Sequence, residues 1–252
     1  MAVIEIEHLT KKFDTKAAVS DLNLEVKNGE IFGFLGPNGA GKTTTIKILN
    51  GLLKPTSGQV RIGGYDITHQ PREAKAMTGY VPEDAFIYDK LTGREFLYFV
   101  GGLYGLSEKT LSQEIEYWTT FFAIESFIDR LTEGYSHGTK QKLVMSASML
   151  HHPQLLIIDE PMVGLDPKST RKVKDLMREK TREGVTVFLC THILGVAEEL
   201  CDRVGIIHRG ELLITGTLNE IRQKSQSAQN VSLESIFLKL TEEEHELKET
   251  EL

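Results

Sequence analysis

Nine consecutive residues, Gly36-Pro37-Asn38-Gly39-Ala40-Gly41-Lys42-Thr43-Thr44, have the types and spacing needed to hold phosphate. They fit the pattern G-x-x-x-x-G-K-S/T, with a strand-like run before it and a helix-like run after it. Glycines let successive backbone N–H groups turn inward around phosphate oxygens, and the following helix N-terminus adds about half a positive charge. In that setting Lys42 reaches the β- and γ-phosphates, and Thr43 offers its hydroxyl to Mg2+. A second group, Asp159-Glu160, closes the apolar run Leu155 to Ile158. Open parallel sheets form their ligand crevices at the C-terminal ends of such strands. There Asp159 suits Mg2+ held through water, and Glu160 suits polarising the water that attacks the γ-phosphate. Kinases and GTPases usually lack that adjacent glutamate, and the chain carries no Asn-Lys-x-Asp guanine-reading motif. ATP hydrolysis is therefore favoured over a GTPase.

The elements that must position these groups follow from periodicity. Val3-Ile4-Glu5-Ile6-Glu7 and Leu22-Asn23-Leu24-Glu25-Val26 alternate as half-buried strands, and Asn28-Gly29 marks a turn. Ile31 to Leu35 reads as a fully buried strand, Gly41 to about Leu52 as a helix, and Gln59 to Ile62 as a further strand. From about 84 to 150 the pattern is helical, and Phe96, Phe99, Val100, Leu103 and Tyr104 recur as an apolar stripe that predicts a core face. The last third returns to strands at Leu155 to Ile158 and Val185 to Leu189, around a helix from Pro167 to about Arg182. Val204 to Ile207 and Glu211 to Ile214 read as a hairpin around Arg209-Gly210. Continuous apolar strands alternating with helices imply a parallel sheet covered on both faces. The expected fold is thus α/β, a mainly parallel sheet flanked by helices, with an antiparallel β subdomain and an inserted helical subdomain. Gln223 to Asn230 reads as a polar linker and Ser232 to Leu240 as a closing amphipathic helix.

Further residues fall into register with these two motifs. Val81-Pro82-Glu83 follows the phosphate loop, then Tyr135-Ser136-His137-Gly138-Thr139-Lys140-Gln141-Lys142, then Asp159-Glu160, Gly164-Leu165-Asp166 and His192. In this order they resemble the motifs of the ATP-binding-cassette (ABC) ATPases, over nearly the whole chain to about Gly216. The resemblance implies a P-loop NTPase core with ATP and Mg2+ as cofactors. It implies that Phe13 stacks on adenine and that Ser136, His137 and Gly138 form a signature contacting the ATP of a partner subunit. It also implies a D-loop at Asp166, a switch histidine at His192 with Glu160 catalytic, and Glu83 beside the metal with Thr43 and Asp159. Two positions depart from the family pattern: Glu83 replaces the usual Gln, and only Ser136 and Gly138 match the common LSGGQ signature. Whatever the signature side chains do, Ser136 can N-cap the helix that follows. The segment Phe86-Ile87-Tyr88 falls where the family forms a groove for a short cytoplasmic helix of the permease. Residues 1–222 would be the ATPase domain, with the helical subdomain at about 84–150, and 223–252 a linker, short helix and acidic tail.

Composition narrows the partners. Lys and Arg number 29 against 36 Asp and Glu, a net charge of −7, which argues against nucleic acid as a partner. Six Glu and one Lys between Thr241 and Leu252 hold most of that charge. The longest apolar run, Phe96 to Leu106, is far short of the roughly 20 residues a spanning helix needs. Glu5 and Glu7 interrupt the apolar N-terminus, so no signal peptide is expected. Cys190 and Cys201 lack metal-ligand spacing and suit buried thiols in a reducing cytosol. The reading is an ATP-hydrolysing ABC transporter subunit of the bacterial drug, antibiotic and peptide exporter type, dimeric with itself or a homologous ABC subunit. It would sit at the inner face of the cell membrane beneath a membrane-spanning permease. The alternative is a permease-free ABC ATPase serving an assembly or remodelling complex.

Overall fold

The computed structural model describes residues 1–225 and 231–250. Two sheets carry the fold. The first is antiparallel, in the order β2 (Lys16–Lys27), β1 (Ala2–Phe13), β4 (Ser57–Ile62), β5 (Tyr65–Asp66). The alternation read in the sequence sets its register: Ile4 lies opposite Val26 and Ile6 opposite Leu24, all four buried. The second sheet has the order β10 (Glu211–Gly216), β9 (Arg203–His208), β3 (Ile31–Leu35), β8 (Thr186–Thr191), β7 (Leu155–Asp159), β6 (Thr78–Val81). All its pairings are parallel except β10 with β9. That last pair is a hairpin whose two loop residues, Arg209 and Gly210, both have positive φ (47° and 88°), as a tight twist-matched turn requires. Every residue of β3, β7 and β8 is buried, which is why they read as mostly apolar runs.

The helices are α1 (Lys42–Leu49), α2 (Pro71–Ala76), α3 (Gly93–Leu103), α4 (Glu108–Phe122), α5 (His137–Met149), α6 (Pro167–Arg182), α7 (Leu194–Leu200), α8 (Leu218–Lys224) and α9 (Leu233–Thr250). One core cluster lies between the two sheets and α1; another joins the central sheet to α3, α4 and α5 and continues to Leu233 and Ile236 of α9. Helix α3 corrects the sequence reading. Phe96, Leu97 and Gly101 are buried, whereas Phe99, Leu103 and Tyr104 of the expected core stripe are exposed. A Cβ on Gly101 would stand 2.3 Å from a methyl of Leu111 in α4, so α3 turns its glycine to the close contact and leaves Phe99 and Leu103 outside. The chain also departs from its reading at the other end. Gln223 and Lys224 belong to α8, and α9 extends past Leu240 to Thr250. The rest of the expected linker, 226–230, lies outside the described residues, as do 251–252. Both cysteines are buried and free.

Candidate active site

Sheet register assembles the site. Leu35 of β3 pairs with Thr191 of β8, Cys190 of β8 with Asp159 of β7, and Ile158 of β7 with Val81 of β6. Parallel strands in step end in step. The phosphate loop after Leu35, Thr191-His192, Asp159-Glu160 and Pro82-Glu83 therefore leave one edge of the sheet side by side, although more than 150 residues separate Gly36 from His192.

Gly41 turns the loop into α1 with φ 111°, and a Cβ there would lie 2.6 Å from the Ala18 carbonyl, so no other residue fits. Lys42 is buried and folds back on its own loop, donating from Nζ to the carbonyls of Gly36 (2.6 Å) and Pro37 (3.1 Å). Asn38, Gly39 and Thr43 are exposed, which leaves their polar groups open to a ligand, while Ala40 is packed and Pro37 and Thr44 are half-buried.

Asp159 is buried, and its carboxyl is pushed up to about 6 by loss of solvent, then by the negative charges of Glu83 and Glu160. The Cys190 thiol donates to it, and Lys42 opposes the upward shift from nearby. Loss of solvent, together with Asp159, raises the Cys190 thiol well above its ordinary value, so it stays protonated. Three carboxylates and one ammonium make an under-neutralised oxygen cluster that a hard divalent cation fits. Among the described residues no three His, Cys, Asp or Glu are placed to hold a metal by themselves. A cation held there would need ligands from water and substrate phosphates besides one or two of these carboxylates, as Mg2+ takes.

Glu160 is the most constrained residue of the site. It is buried with φ 47°, a left-handed backbone costing about 1–3 kcal/mol outside glycine, and its N–H donates to the Cys190 carbonyl at 3.0 Å. Its Oε1 accepts from the His192 backbone N–H (2.7 Å) and pairs with His192 Nδ1 (2.7 Å), while Oε2 accepts from the Thr191 hydroxyl (3.0 Å). A carboxylate can only accept, so Nδ1 carries a proton. Sequence reasoning found Glu160 and His192 separately but missed Thr191 and Cys190. The one available signal was position, because both lie at the end of the strand that His192 directly follows.

The remaining residues form a second cluster. Ser136 caps α5, accepting from the Thr139 N–H at 3.2 Å. The His137 ring occupies the space a Gly164 side chain would need, and Gly138 lies close to the Gly164 carbonyl. Asp166 caps α6 by accepting from the backbone N–H and hydroxyl of Ser169 (2.9 and 2.5 Å), bonds that hold its carboxyl down at about 2. Lys140 pairs with Asp89 (3.2 Å), and Lys142 Nζ lies 3.8 Å from Asp166. Helix α1 packs on β2 and β7, whereas α5 packs on α3, α4 and β6. The phosphate loop and signature thus belong to different parts of the chain. Phe13 stands at the tip of the β1–β2 hairpin, 49% exposed, with Lys11 Nζ 5.1 Å from its ring centre. It is an available stacking platform rather than a core residue.

The carboxyl of Asp159 yields a stability prediction. A folded pKa near 6 against 3.8 unfolded costs nothing well below 3.8; the penalty grows as pH rises from 3.8 to about 6 and is complete above 6. Asp159→Asn removes that penalty. Its gain in stability over wild type should be small near pH 4 and rise to a plateau above pH 7, on the order of 3 kcal/mol. Thermal melts at the two pH values check this, and an equal gain at both would show that another group titrates.

A parallel sheet delivering a glycine-rich phosphate loop and an Asp-Glu pair to one edge, beside an antiparallel β subdomain and an inserted helical subdomain, defines a P-loop nucleotide-binding protein of cassette type. The family profile described as "ABC transporter" matches residues 19–163. The chain is 38% identical over 240 residues to the probable multidrug ABC transporter ATP-binding protein YbhF of Escherichia coli K12, covering 94% of this chain and 41% of that protein. It is 37% identical over 223 residues to the linearmycin resistance ATP-binding protein LnrL of Bacillus subtilis 168, covering 87% of this chain and 70% of that one. A solved ATP-binding subunit of an ABC transporter superposes with a TM-score of 0.90 at 33% identity, covering 95% of this chain and 99% of the other. The chain belongs to the ABC transporter family.

Proposed function

We propose that this chain is the ATP-hydrolysing subunit of an ABC transporter, working as a two-fold dimer beneath a separate membrane-spanning permease and serving export. The observation that carries the reading is the hold of His192 and Thr191 on Glu160, beside a phosphate loop and a buried Asp159 at one sheet edge. The backbone N–H groups of residues 36–44 and the Lys42 ammonium, swung from its own loop carbonyls, bind the phosphates. Thr43, Asp159 and Glu83 would hold Mg2+, which when bound draws charge from the β- and γ-phosphates. Glu160 orients and polarises the attacking water, and His192 fixes the carboxylate. Phe13 offers its face to adenine. Ser136, His137 and Gly138 sit on the α5 side, so a partner copy supplies them to this ATP, and Asp166 lies beside them in the D-loop. ATP then joins two subunits and its hydrolysis lets them part.

Among the described residues no helix is long and apolar enough to cross a membrane; in this reading the permease supplies the spanning part. Phe86, Tyr88, Phe99 and Leu103, all exposed, supply an apolar surface suited to it. That partner would hold the chain at the cytoplasmic face. The lean to export rests on likeness to YbhF and LnrL, which are named for multidrug transport and linearmycin resistance. The test is purification of the tagged chain from membranes with its partners, followed by phosphate-release assays. The expected result is a multi-span protein in the complex and release of phosphate from MgATP. An active chain that brings down only non-membrane proteins would instead establish the permease-free reading.

A further inference from the structure

Gln141 is fully buried in the second turn of α5. Its Nε2 donates to the Pro82 carbonyl at 3.4 Å, the long limit of a hydrogen bond, and its Oε1 has no partner at all. Buried side-chain amides are ordinarily satisfied, because an orphaned acceptor bears the full cost of desolvation. Two other buried side-chain atoms without partners are found among the described residues, His151 Nδ1 and Thr215 Oγ1. Neither connects the motifs of the site. Gln141 does. It lies three and four residues beyond Gly138 and His137, on the helix face they share. Pro82 immediately precedes Glu83 and follows Val81, which pairs with Ile158 beside Asp159. One side chain therefore spans from the loop next to this chain's own phosphates to the helix that carries the signature.

We infer that Gln141 is a positioning residue that ties the Glu83 loop to the signature helix, its open Oε1 taking a backbone N–H of residues 83–85 when nucleotide draws the loop inward. The link seen in the structure is slack: one long bond and one unused acceptor. With the loop shifted, the amide bonds at both ends, and α5 moves with the loop to present Ser136 and Gly138 to a partner. The inference rests on the proposal that Glu83 lies at the γ-phosphate and the signature at the partner's ATP.

The test uses the full chain carrying Glu160→Gln, with and without Gln141→Met, which keeps the side-chain length and removes both polar atoms. Melting temperature without nucleotide should stay level or rise, since the orphaned acceptor is gone. ATP affinity measured below the dimerisation concentration should change by less than about threefold. ATP-driven dimerisation, by analytical ultracentrifugation, should weaken by about tenfold or more, equivalent to 1.4 kcal/mol. Hydrogen exchange on the monomer should show amides 83–85 gaining protection with ATP in the parent and not in the Met variant. A core-filling role alone would leave dimerisation and loop protection untouched, and that result overturns the inference. Should the Met variant fail to fold, the parent decides: bound ATP without added protection at 83–85 also overturns it. If the parent neither binds ATP nor dimerises, the proposed function itself has failed and this inference falls with it, a result visible before Gln141 is altered.

Discussion

Glu160→Gln should bind ATP normally, turn it over about 10²–10⁴-fold more slowly, and accumulate as an ATP-dependent dimer. The size of the loss is that of a positioned general base, about 2.7–5.5 kcal/mol of barrier. The structure makes the substitution clean. Gln preserves the volume of a buried residue, tolerates the same backbone with φ 47°, and can still accept from the His192 N–H through its remaining oxygen. The Thr191 hydroxyl can rotate to accept from the new amide where it donated to the carboxylate. What disappears is the negative charge that pairs with His192 Nδ1 and, in the proposed role, polarises water. Folding should therefore change little while chemistry stops, and ATP that is not cleaved keeps two subunits joined. Phosphate release and sedimentation under saturating MgATP measure both effects. Near-normal hydrolysis, or a monomer under saturating ATP, would remove Glu160 from the role of base.

The phosphate loop, the Asp-Glu pair and the strands that deliver them were legible because local pattern and tertiary setting agree. A parallel strand buried on both faces is mostly apolar, and β3, β7 and β8 are, with polar residues only at the ends of β7 and β8. The grouping of Glu160 with Thr191 and His192 was not derivable from spacing, because only the pairing of β7 with β8 brings them together. Cys190 was hidden for another reason. A thiol in a buried strand counts as apolar in any pattern, and its use as a donor to Asp159 depends on which strand lies next to it. Helix α3 failed differently. Apolar periodicity scores Phe99 and Leu103 as core and Gly101 as nothing, yet close approach to Leu111 puts the glycine inside. Gln141 looked like one more polar residue of a signature; its complete burial follows from the packing of α5 on α3, α4 and β6.

That inversion of α3 underlies the second large effect. Phe86 is 85% exposed and Tyr88 62%, and the Tyr88 ring stands edge-on to Phe99, 5.7 Å between centres. With Leu103 they form an exposed apolar face on the helical subdomain, the kind of patch that marks an interaction site. Ile87 between them is half-buried against the core, so it anchors the segment while its neighbours point outward. The backbone there is fixed independently of the two aromatic rings: the Tyr88 carbonyl accepts from the Leu91 N–H and from the Thr132 hydroxyl (2.9 Å each). Changing Phe86 and Tyr88 together to Ser should thus leave the loop in place and cost the isolated chain only the Tyr88–Phe99 contact, about 0.5–1.5 kcal/mol. Two aromatic anchors in an interface are worth about 2 kcal/mol or more each, so binding to a permease should weaken by about 10³-fold and co-purification from detergent-solubilised membranes should be lost. ATP binding by the isolated chain should be unaffected. Phe86→Ser alone, which breaks no ring contact within the chain, separates the two contributions and should retain full thermal stability. A large drop in melting temperature with either variant would place these rings in the core of the chain, and retained co-purification would move the permease surface elsewhere.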